Sequence, residues 1–276
     1  MQHLLLSYPV AFHLFGIPIH WYGIIIAVGM LIAIEWIARE LRLKGFSEEM
    51  GYDLVLWGIP IGFIGARLYY VLFQWPYYAA HPGEILQIWN GGIAIYGGVI
   101  AGAITLFVYC RKKKINPLLM TDVIAPYLLL AQAIGRWGNF ANQEAHGGAV
   151  SESFLRNTLH LPAFIVDRMQ IGGIYYHPTF LYESLWSLLG VAVIMWLRGR
   201  NRALKLGETT LLYFIWYAFG RFFIEGLRTD SLWLGPFRVS QLLSLIFVIG
   251  GMGLFIWSRR KRQDAPYYTD IYGPNV

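Results

Sequence analysis

Long apolar stretches alternate with short polar segments along the chain. Each apolar stretch is close to the ~20 residues that a helix needs to cross the hydrocarbon core of a bilayer. Seven spans are predicted, at Trp21–Ala38, Tyr52–Phe73, Gly91–Cys110, Met120–Arg136, Thr179–Leu197, Thr209–Glu225 and Val239–Trp257. In lipid only helices and closed barrels satisfy the backbone hydrogen bonds, and runs of this length suit helices. The pattern therefore predicts an all-α, polytopic membrane protein with seven transmembrane helices.

The composition agrees with this pattern. Of the 276 residues, 57% are hydrophobic and only 14% are charged, whereas about 25% are charged in an ordinary soluble domain. No linker or low-complexity segment divides the chain, so a single integral membrane domain is predicted over residues 1–276. The longest polar excursion, an insertion at about residues 141–177, is expected to form a small cap of short helices or strands.

Basic residues cluster after alternate spans, the first, third, fifth and seventh. They are Arg39, Arg42 and Lys44; Arg111, Lys112, Lys113 and Lys114; Arg198, Arg200, Arg202 and Lys205; and Arg259, Arg260, Lys261 and Arg262. Because loops rich in Lys and Arg stay in the cytoplasm, the N-terminus is predicted outside, the C-terminus in the cytoplasm and the insertion on the outer face. The net charge of +6 is attributed to anchoring on anionic membrane lipids, and no nucleic-acid partner is expected.

Seven arginines remain, all at the outer ends of the predicted spans or in outer loops. They are Arg67, Arg136, Arg156, Arg168, Arg221, Arg228 and Arg238. The planar guanidinium group can hold two phosphate oxygens at once, which a lysine cannot do. Arg67, Arg136 and Arg221 lie within apolar runs, where a charge is costly without a partner or an anionic ligand. Three others are interpreted as ordinary loop charges: Arg156, Arg168 and Arg238.

The most informative segment is 135–148, which reads Gly-Arg-Trp-Gly-Asn-Phe-Ala-Asn-Gln-Glu-Ala-His-Gly-Gly. It places Arg136 near two amides, Asn139 and Asn142, and near the carboxylate of Glu144. Its four glycines allow other groups to approach the backbone closely. This combination predicts a phosphate-binding site at the outer membrane surface, where the abundant phosphates belong to lipids.

Span six carries a stripe of polar residues. Tyr217, Arg221, Glu225 and Arg228 are spaced at i, i+4, i+8 and i+11, which is one face of a helix. Two interpretations stay open: a buried Arg–Glu pair that only fixes helix packing, or a part of the phosphate site predicted after span four. Glu183 in span five also needs a partner in lipid, and an arginine is the obvious one.

Three further side chains are candidates for the site. His20 and Tyr22 flank the start of span one at the outer interface, and Tyr96 is surrounded by glycines in span three. The single cysteine forms neither an internal disulfide nor a metal cluster. The sequence also lacks a nucleotide-binding loop, a zinc-protease motif and a serine-hydrolase elbow. No metal and no cofactor are therefore expected.

With these motifs in view, the chain resembles the prolipoprotein diacylglyceryl transferases of the bacterial envelope. The family signature Gly-Arg-x-Gly-Asn-Phe-x-Asn-x-Glu is matched at each fixed position from Gly135 to Glu144, and further matches cover nearly the whole chain. The resemblance implies transfer of the diacylglyceryl group of phosphatidylglycerol to the lipobox cysteine thiol of a prolipoprotein, forming a thioether and releasing glycerol 1-phosphate. It places the enzyme in the bacterial cytoplasmic (inner) membrane, among membrane lipids, with its active site at the outer face.

The resemblance also implies roles for the candidate residues. Arg136, Arg221, Tyr96 and Tyr22 are the expected catalytic residues. The residues expected to bind phosphatidylglycerol are Arg136, Asn139, Asn142, Glu144, Arg221, Glu225, His20, Tyr217 and Arg67.

The chain departs from the family pattern at Tyr96. Many members carry histidine there, proposed as a catalytic base, whereas tyrosine with an ordinary pKa near ~10 is a poor base at neutral pH. The sequence leaves open the general base, the acyl-chain preference, the prolipoprotein substrates and the oligomeric state. The alternative function is a lipid or anion transporter that uses the same outer-face arginines, although the internal repeats common in transporters are not found.

Overall fold

The structure, a computed structural model, describes residues 9–272. Its helices are α1 (Trp21–Leu43), α2 (Glu49–Phe73), α3 (Trp75–Ala80), α4 (Ile95–Lys113), α5 (Pro117–Asn142), α6 (Ala163–Arg168), α7 (Thr179–Gly199), α8 (Glu208–Leu227) and α9 (Val239–Lys261). Within the described part of the chain, six of them are long and apolar enough to cross a membrane: α1, α2, α4, α5, α7 and α9. The protein is therefore a predominantly helical, multi-pass membrane protein.

Helix α8 contains the predicted sixth span, Thr209–Glu225, yet it does not belong to this apolar set. Its 20 residues include Glu208, Arg221 and Glu225. These charges lower the mean hydropathy of the helix, although Glu208 and Glu225 are buried inside the protein. The polar stripe that makes α8 a candidate for function thus also weakens its signal as a span, and the count of seven spans stays a prediction.

Two helix boundaries differ from the prediction in ways that matter for the site. The third span was predicted to start at Gly91, but α4 begins at Ile95 because Gly91 and Gly92 have φ values of +82° and +74°, which a helix does not allow. The fourth was predicted to end at Arg136, but α5 continues to Asn142. The first part of the 135–148 segment is therefore helical.

Short antiparallel strands accompany the helices. β1 (Val10–Leu14) and β2 (Ile17–His20) form a hairpin before α1, and β6 (Trp233–Leu234) pairs with β7 (Phe237–Arg238) between α8 and α9. Three strands lie in the predicted insertion, in the spatial order β3 (Ala149–Val150), β5 (Ile174–Tyr176), β4 (Gln170–Ile171). The insertion thus contains both strands and a short helix, α6.

The insertion has its own apolar core. Its buried members are Phe140, Leu155, Ile165, Val166, Met169 and Phe180. Two of them come from the end of α5 and the start of α7, so the core fastens the insertion to the helices that flank it. Arg168, expected to be an ordinary loop charge, also contributes, since its Nη2 donates a hydrogen bond to the carbonyl of Ala141.

The chain divides into two compact units. Among the described residues, one comprises residues 9–33 together with Ile124–Asp270, and the other comprises Ile34–Val123 with residues 271–272. They are called here the first and second unit. The prediction of a single membrane domain is not tested by this division.

In the first unit, α1 packs against α5 at glycines of the 135–148 segment. A Cβ atom on Gly138 would lie 2.8 Å from Cδ2 of Tyr22, and one on Gly135 would lie 3.0 Å from Cδ1 of Ile26. Only glycine allows the ring of Tyr22 to approach α5 this closely. These two glycines therefore bring Tyr22 to the helix face beside the signature residues.

Helices α7 and α8 of the same unit are joined by a reciprocal pair of tryptophans and glycines. The rings of Trp186 and Trp216 stack with centroids 4.5 Å apart, and each indole Nε1 donates to the other residue's carbonyl oxygen, at 3.0 and 2.9 Å. A Cβ on Gly220 would lie 2.1 Å from Nε1 of Trp186, and one on Gly190 would lie 2.3 Å from Nε1 of Trp216. This Trp–Gly lock fixes the register of α7 against α8.

Candidate active site

The carboxylate of Glu183 lies at the centre of an arginine cluster. Its Oε2 is 2.6 Å from Nε of Arg136, and its Oε1 is 2.8 Å from Nη1 of Arg221 and 3.7 Å from Nη1 of Arg228. The side chain of Glu183 is only 7% exposed, and the three arginine side chains are 12–21% exposed. Arg136 comes from α5, Glu183 from α7 and Arg221 from α8, so the cluster joins three helices.

Further acidic groups complete the cluster. Glu225, which is buried, forms an ion pair with Nη2 of Arg221 one helical turn away. Arg228 lies just after the end of α8 and donates two hydrogen bonds to the carboxylate of Asp230, at 2.9 and 2.7 Å. The hydrogen bond from Arg228 holds the pKa of Asp230 below its usual range. Asp230 therefore stays ionised at neutral pH.

Arg238 also contributes at this position, although it was interpreted as an ordinary loop charge. Its Nη1 donates a hydrogen bond to the backbone carbonyl of Glu225 near the C-terminal end of α8, and its guanidinium group lies over the ring of Trp233. A cation is favourable at a helix C-terminus because the unpaired carbonyls there carry partial negative charge. Arg238 thus holds the end of the helix that carries Arg221 and Glu225.

A loop from α5 fastens the ends of α7 and α8 beside the cluster. The backbone N–H of Gly147 donates to the carbonyl of His177 at 3.0 Å, and that of Gly148 donates to the carbonyl of Leu227 at 3.0 Å. A Cβ on Gly147 would lie 2.6 Å from Cβ of His177, so only glycine fits there. Gly147 is therefore required for the packing of this loop, whereas Gly148 contributes a backbone hydrogen bond.

His177 itself lies at the start of α7, outside the helix. Its Nδ1 is 3.1 Å from the hydroxyl of Tyr182. Partial burial lowers the pKa of His177 below 6.5, because burial disfavours the charged form. His177 is therefore largely neutral at neutral pH.

The signature amides and carboxylate differ in their contacts. Nη1 of Arg136 lies 3.4 Å from Oδ1 of Asn139, and Nδ2 of Asn139 donates to Oε1 of Glu144 at 3.0 Å. Two hydrogen bonds through Asn139 thus connect Arg136 to the exposed Glu144. Asn142 is exposed at the last position of α5, and the residues described show no side-chain partner for it.

Three other candidates of the first unit, Tyr217, His20 and Tyr22, form no ion pair with the cluster. Tyr217 stacks on Tyr213, with ring centroids 6.1 Å apart, one turn before Arg221. His20 is exposed at the end of β2, immediately before α1. Tyr22 contacts α5 at Gly138, as described above. Their roles in binding or catalysis stay predictions.

Arg67 and Tyr96 belong to the second unit. Arg67 is buried, and its guanidinium group donates four hydrogen bonds to backbone carbonyls, of Glu84, Ile85, Gly91 and Gly92, at 2.6–2.8 Å. Arg67 therefore holds the loop before α4 in place, a contact that the sequence did not indicate. Its predicted use as a phosphate ligand stays untested.

Tyr96 lies in the first turn of α4 and is 48% exposed. Its ring contacts Tyr69 with centroids 6.5 Å apart. Among residues 9–272 its hydroxyl has no hydrogen-bond partner, so the group is available to a ligand.

The electrostatics of the cluster are balanced. Three arginines, Arg136, Arg221 and Arg228, face three acidic residues, Glu183, Glu225 and Asp230. Buried charges persist in proteins when they are paired in this way. No group of three His, Cys or acidic residues suited to a metal ion occurs in the described ranges.

The site predicted from the sequence did not include Glu183 or Arg228. The signal for Glu183 was present, because an acidic residue in an apolar span requires a partner, and the predicted arginine partner is confirmed. Arg228 was recognised as a member of the stripe, but its approach to Glu183 depends on how the chain turns after α8.

The fold and the site together define a multi-pass helical membrane protein in which arginines and acidic residues meet in one largely buried cluster. The family model for prolipoprotein diacylglyceryl transferase matches residues 9–257. The chain belongs to this family. It is therefore a transferase, and the family and the enzyme class predicted from the sequence are confirmed.

Curated relatives agree with this assignment. A phosphatidylglycerol–prolipoprotein diacylglyceryl transferase from Lactobacillus delbrueckii subsp. bulgaricus is 53% identical over 254 residues, which cover 92% of this chain and 91% of the relative. The enzyme of the same name from Staphylococcus saprophyticus subsp. saprophyticus is 52% identical over 272 residues, covering 98% and 96%. That from Lactobacillus acidophilus is 49% identical over 274 residues, covering 99% and 97%.

Proposed function

We propose that this protein transfers the diacylglyceryl group of phosphatidylglycerol to the lipobox cysteine thiol of a prolipoprotein. The thiol sulfur forms a bond to the glyceryl carbon that carries the phosphate, and the C–O bond to that phosphate breaks. The thiol loses its proton, and the departing group is glycerol 1-phosphate. Neither oxidant nor metal is needed to balance this reaction.

The observation that carries the proposal is the shared carboxylate of Glu183. One of its oxygens contacts Arg136 of α5 and the other contacts Arg221 of α8. Both guanidinium groups are therefore fixed before a substrate arrives. Among the residues described, Nη2 of Arg136 and Nε of Arg221 have no partner. Each arginine thus keeps an N–H group for a phosphate oxygen while its remaining contacts set its orientation.

The arginines would act on the leaving group. As the C–O bond breaks, the phosphate changes from a diester to a monoester and gains negative charge. Preorganised donors in a site with little water stabilise such charge, and each is worth ~10²–10³ in rate. The same positive groups would favour the thiolate of the incoming cysteine, whose ordinary pKa is ~8.5.

The other candidates take supporting roles in this account. Asn139 orients Arg136 and is itself held by Glu144. Tyr22 contacts the same face of α5, where its hydroxyl could bind the lipid headgroup. Tyr96 would donate a neutral hydrogen bond to a lipid oxygen.

We also infer the placement in the membrane. Helix α8 would be the sixth span along the chain and would bring the total to seven, since its charged residues are paired inside the protein. The basic residues at the C-terminal ends of α1, α4, α7 and α9 favour a cytoplasmic location for those ends. This supports an outside N-terminus and an arginine cluster at the outer face of the bacterial cytoplasmic membrane. This face is where a secreted prolipoprotein would meet phosphatidylglycerol.

The experiment uses purified protein, phosphatidylglycerol and a synthetic lipobox peptide. We expect the peptide mass to increase by one diacylglyceryl group and glycerol 1-phosphate to appear in equal amount. A peptide with Cys→Ser at the acceptor position is the matched control and should stay unmodified. Consumption of phosphatidylglycerol without a thioether product would overturn the proposal, and so would transport of intact lipid between leaflets without transfer.

A further inference from the structure

The second unit contains an apolar groove between α2 and α4. Its volume is about 420 Å³, and it is lined by Trp57, Ile61, Ile104, Thr105, Val108, Tyr109 and Lys112. Trp57, Ile61, Ile104 and Val108 are apolar and exposed, whereas Thr105 and Tyr109 are buried at the floor of the groove. The groove therefore faces the surroundings of the helices, which in a membrane protein are lipid.

The groove lies beside a close contact of the two helices. They pack tightly at Gly65 and Gly97, where a Cβ on Gly65 would lie 2.8 Å from the carbonyl oxygen of Gly97. The groove lies further along both helices, toward the hydrogen bond that Tyr109 donates to Asp53.

The groove ends at a basic side chain. Lys112 lies at its margin in the last turn of α4, and α4 has 19 residues, which at 1.5 Å per residue spans most of the bilayer core. Lys112 is therefore at the depth of lipid headgroups. From Ile104 to Lys112 the groove runs about 12 Å along the helix, enough for the upper part of an acyl chain.

The charges around Lys112 leave its ammonium group uncompensated. The neighbouring Lys113 is 3.6 Å from Asp53, and Tyr109 donates a hydrogen bond to the same carboxylate at 2.8 Å. Arg111 lies over the ring of Phe107. Among the residues that the structure describes, no acidic group pairs with Lys112.

We propose that this groove binds an anionic phospholipid, with its phosphate at Lys112 and one acyl chain between Trp57, Ile61 and Ile104. An apolar groove with a single unpaired cation at headgroup depth suits a lipid that carries both an acyl chain and an anionic headgroup. A zwitterionic phospholipid would fill the groove equally well but gain less at Lys112, since a basic residue near the surface attracts anionic lipid about five-fold more strongly. The site is independent of the transfer reaction.

Native mass spectrometry of the full-length protein with phosphatidylserine or phosphatidylcholine tests this proposal. Phosphatidylserine is chosen because it is anionic but is not the proposed substrate. We expect stronger binding of phosphatidylserine, an approximately five-fold loss in Lys112→Gln, and little change in Lys114→Gln, the matched control at the same helix end. Ile104→Trp, which fills the groove, should weaken binding of both lipids.

A second readout uses phosphatidylserine with brominated acyl chains. It should quench tryptophan fluorescence more in the wild type than in Trp57→Phe, because Trp57 lines the groove. Equal losses of binding in Lys112→Gln and Lys114→Gln would overturn the proposal, since they would indicate general attraction to a basic surface. Unchanged binding in both Lys112→Gln and Ile104→Trp would overturn it as well. Transfer activity should be unaffected in all four variants, so these outcomes are separate from failure of the proposed reaction.

Discussion

The indole Nε1 of Trp186 occupies the space that a side chain at Gly220 would need. A Cβ there would lie 2.1 Å from Nε1, and this close contact fixes α7 against α8 next to the Glu183–Arg221 ion pair. Gly220→Ala should therefore force the two helices apart and destabilise the protein by roughly 1–3 kcal/mol. It should also reduce transfer, because the distance between Glu183 and Arg221 would change.

The matched control for this substitution is Gly250→Ala in α9, where a Cβ would have no neighbour within 4 Å. That variant should be neutral or slightly more stable, since alanine favours a helix by about 0.5–1 kcal/mol over glycine. Thermal unfolding in detergent measures the stability of both variants. Equal unfolding midpoints for the two variants would contradict the role given to the Trp–Gly lock.

Glu183 should act as a positioning residue for the arginines. Glu183→Gln keeps the shape of the side chain but removes the charge that holds Arg136 and Arg221. We expect a loss of about 3 kcal/mol in stability, because breaking one side of a buried ion pair leaves charges uncompensated. The kcat should fall more than tenfold, whereas the KM for phosphatidylglycerol should stay the same or fall, because the freed arginines attract the anionic lipid.

Steady-state kinetics separate this role from direct substrate binding. A raised KM with unchanged kcat in Glu183→Gln would indicate that Glu183 binds the lipid itself. Glu152→Gln is the control, since Glu152 forms an exposed ion pair with Arg156 in the insertion. It should leave the kinetics unchanged.

Tyr96 and Arg221 should contribute differently to the rate of transfer. Tyr96→Phe removes one neutral hydrogen bond, worth roughly 0.5–1.5 kcal/mol, and so should lower the rate by about tenfold at most. Arg221→Ala should be close to inactive. Initial rates at about pH 7 and about pH 9, on either side of the ordinary thiol pKa, test the comparison. If Tyr96→Phe is as inactive as Arg221→Ala at both pH values, Tyr96 takes part in the chemistry.

Much of this arrangement follows from the sequence, and the remainder depends on contacts between distant segments. Hydropathy located the long helices, and the cost of a lone charge in lipid led to the confirmed pairing of Glu183 with arginines. The hydrogen bonds of Arg67 were not predictable, because they require the loop before α4 to fold back onto α2. The Trp–Gly lock likewise depends on complementary shapes of α7 and α8, which no spacing rule encodes.

His177 should make the stability of the first unit sensitive to acid. Burial lowers its pKa from 6.5 in the folded state, so between that value and the lower folded pKa the unfolded chain binds more protons. The contribution of neutral His177 is fully present above pH 6.5 and is lost as the pH falls through the folded pKa.

Unfolding midpoints measured from about pH 8 to about pH 5 should therefore decline less in His177→Asn than in the wild type. The exposed His160 provides the control, and His160→Asn should follow the wild-type curve. Parallel curves for all three proteins would show that His177 has no part in the acid sensitivity.

The central claim is that Arg136 holds the lipid phosphate with its planar guanidinium group. The most direct test is the initial rate of transfer from phosphatidylglycerol to a lipobox peptide by Arg136→Lys, with Arg156→Lys in the exposed ion pair of the insertion as the control. Lysine keeps the charge, but its donors share one nitrogen and cannot reproduce the planar fork that reaches Glu183, Asn139 and a phosphate oxygen at separate positions. The account predicts less than about a tenth of the wild-type rate for Arg136→Lys and an unchanged rate for Arg156→Lys. A rate above that level in correctly folded Arg136→Lys would contradict it.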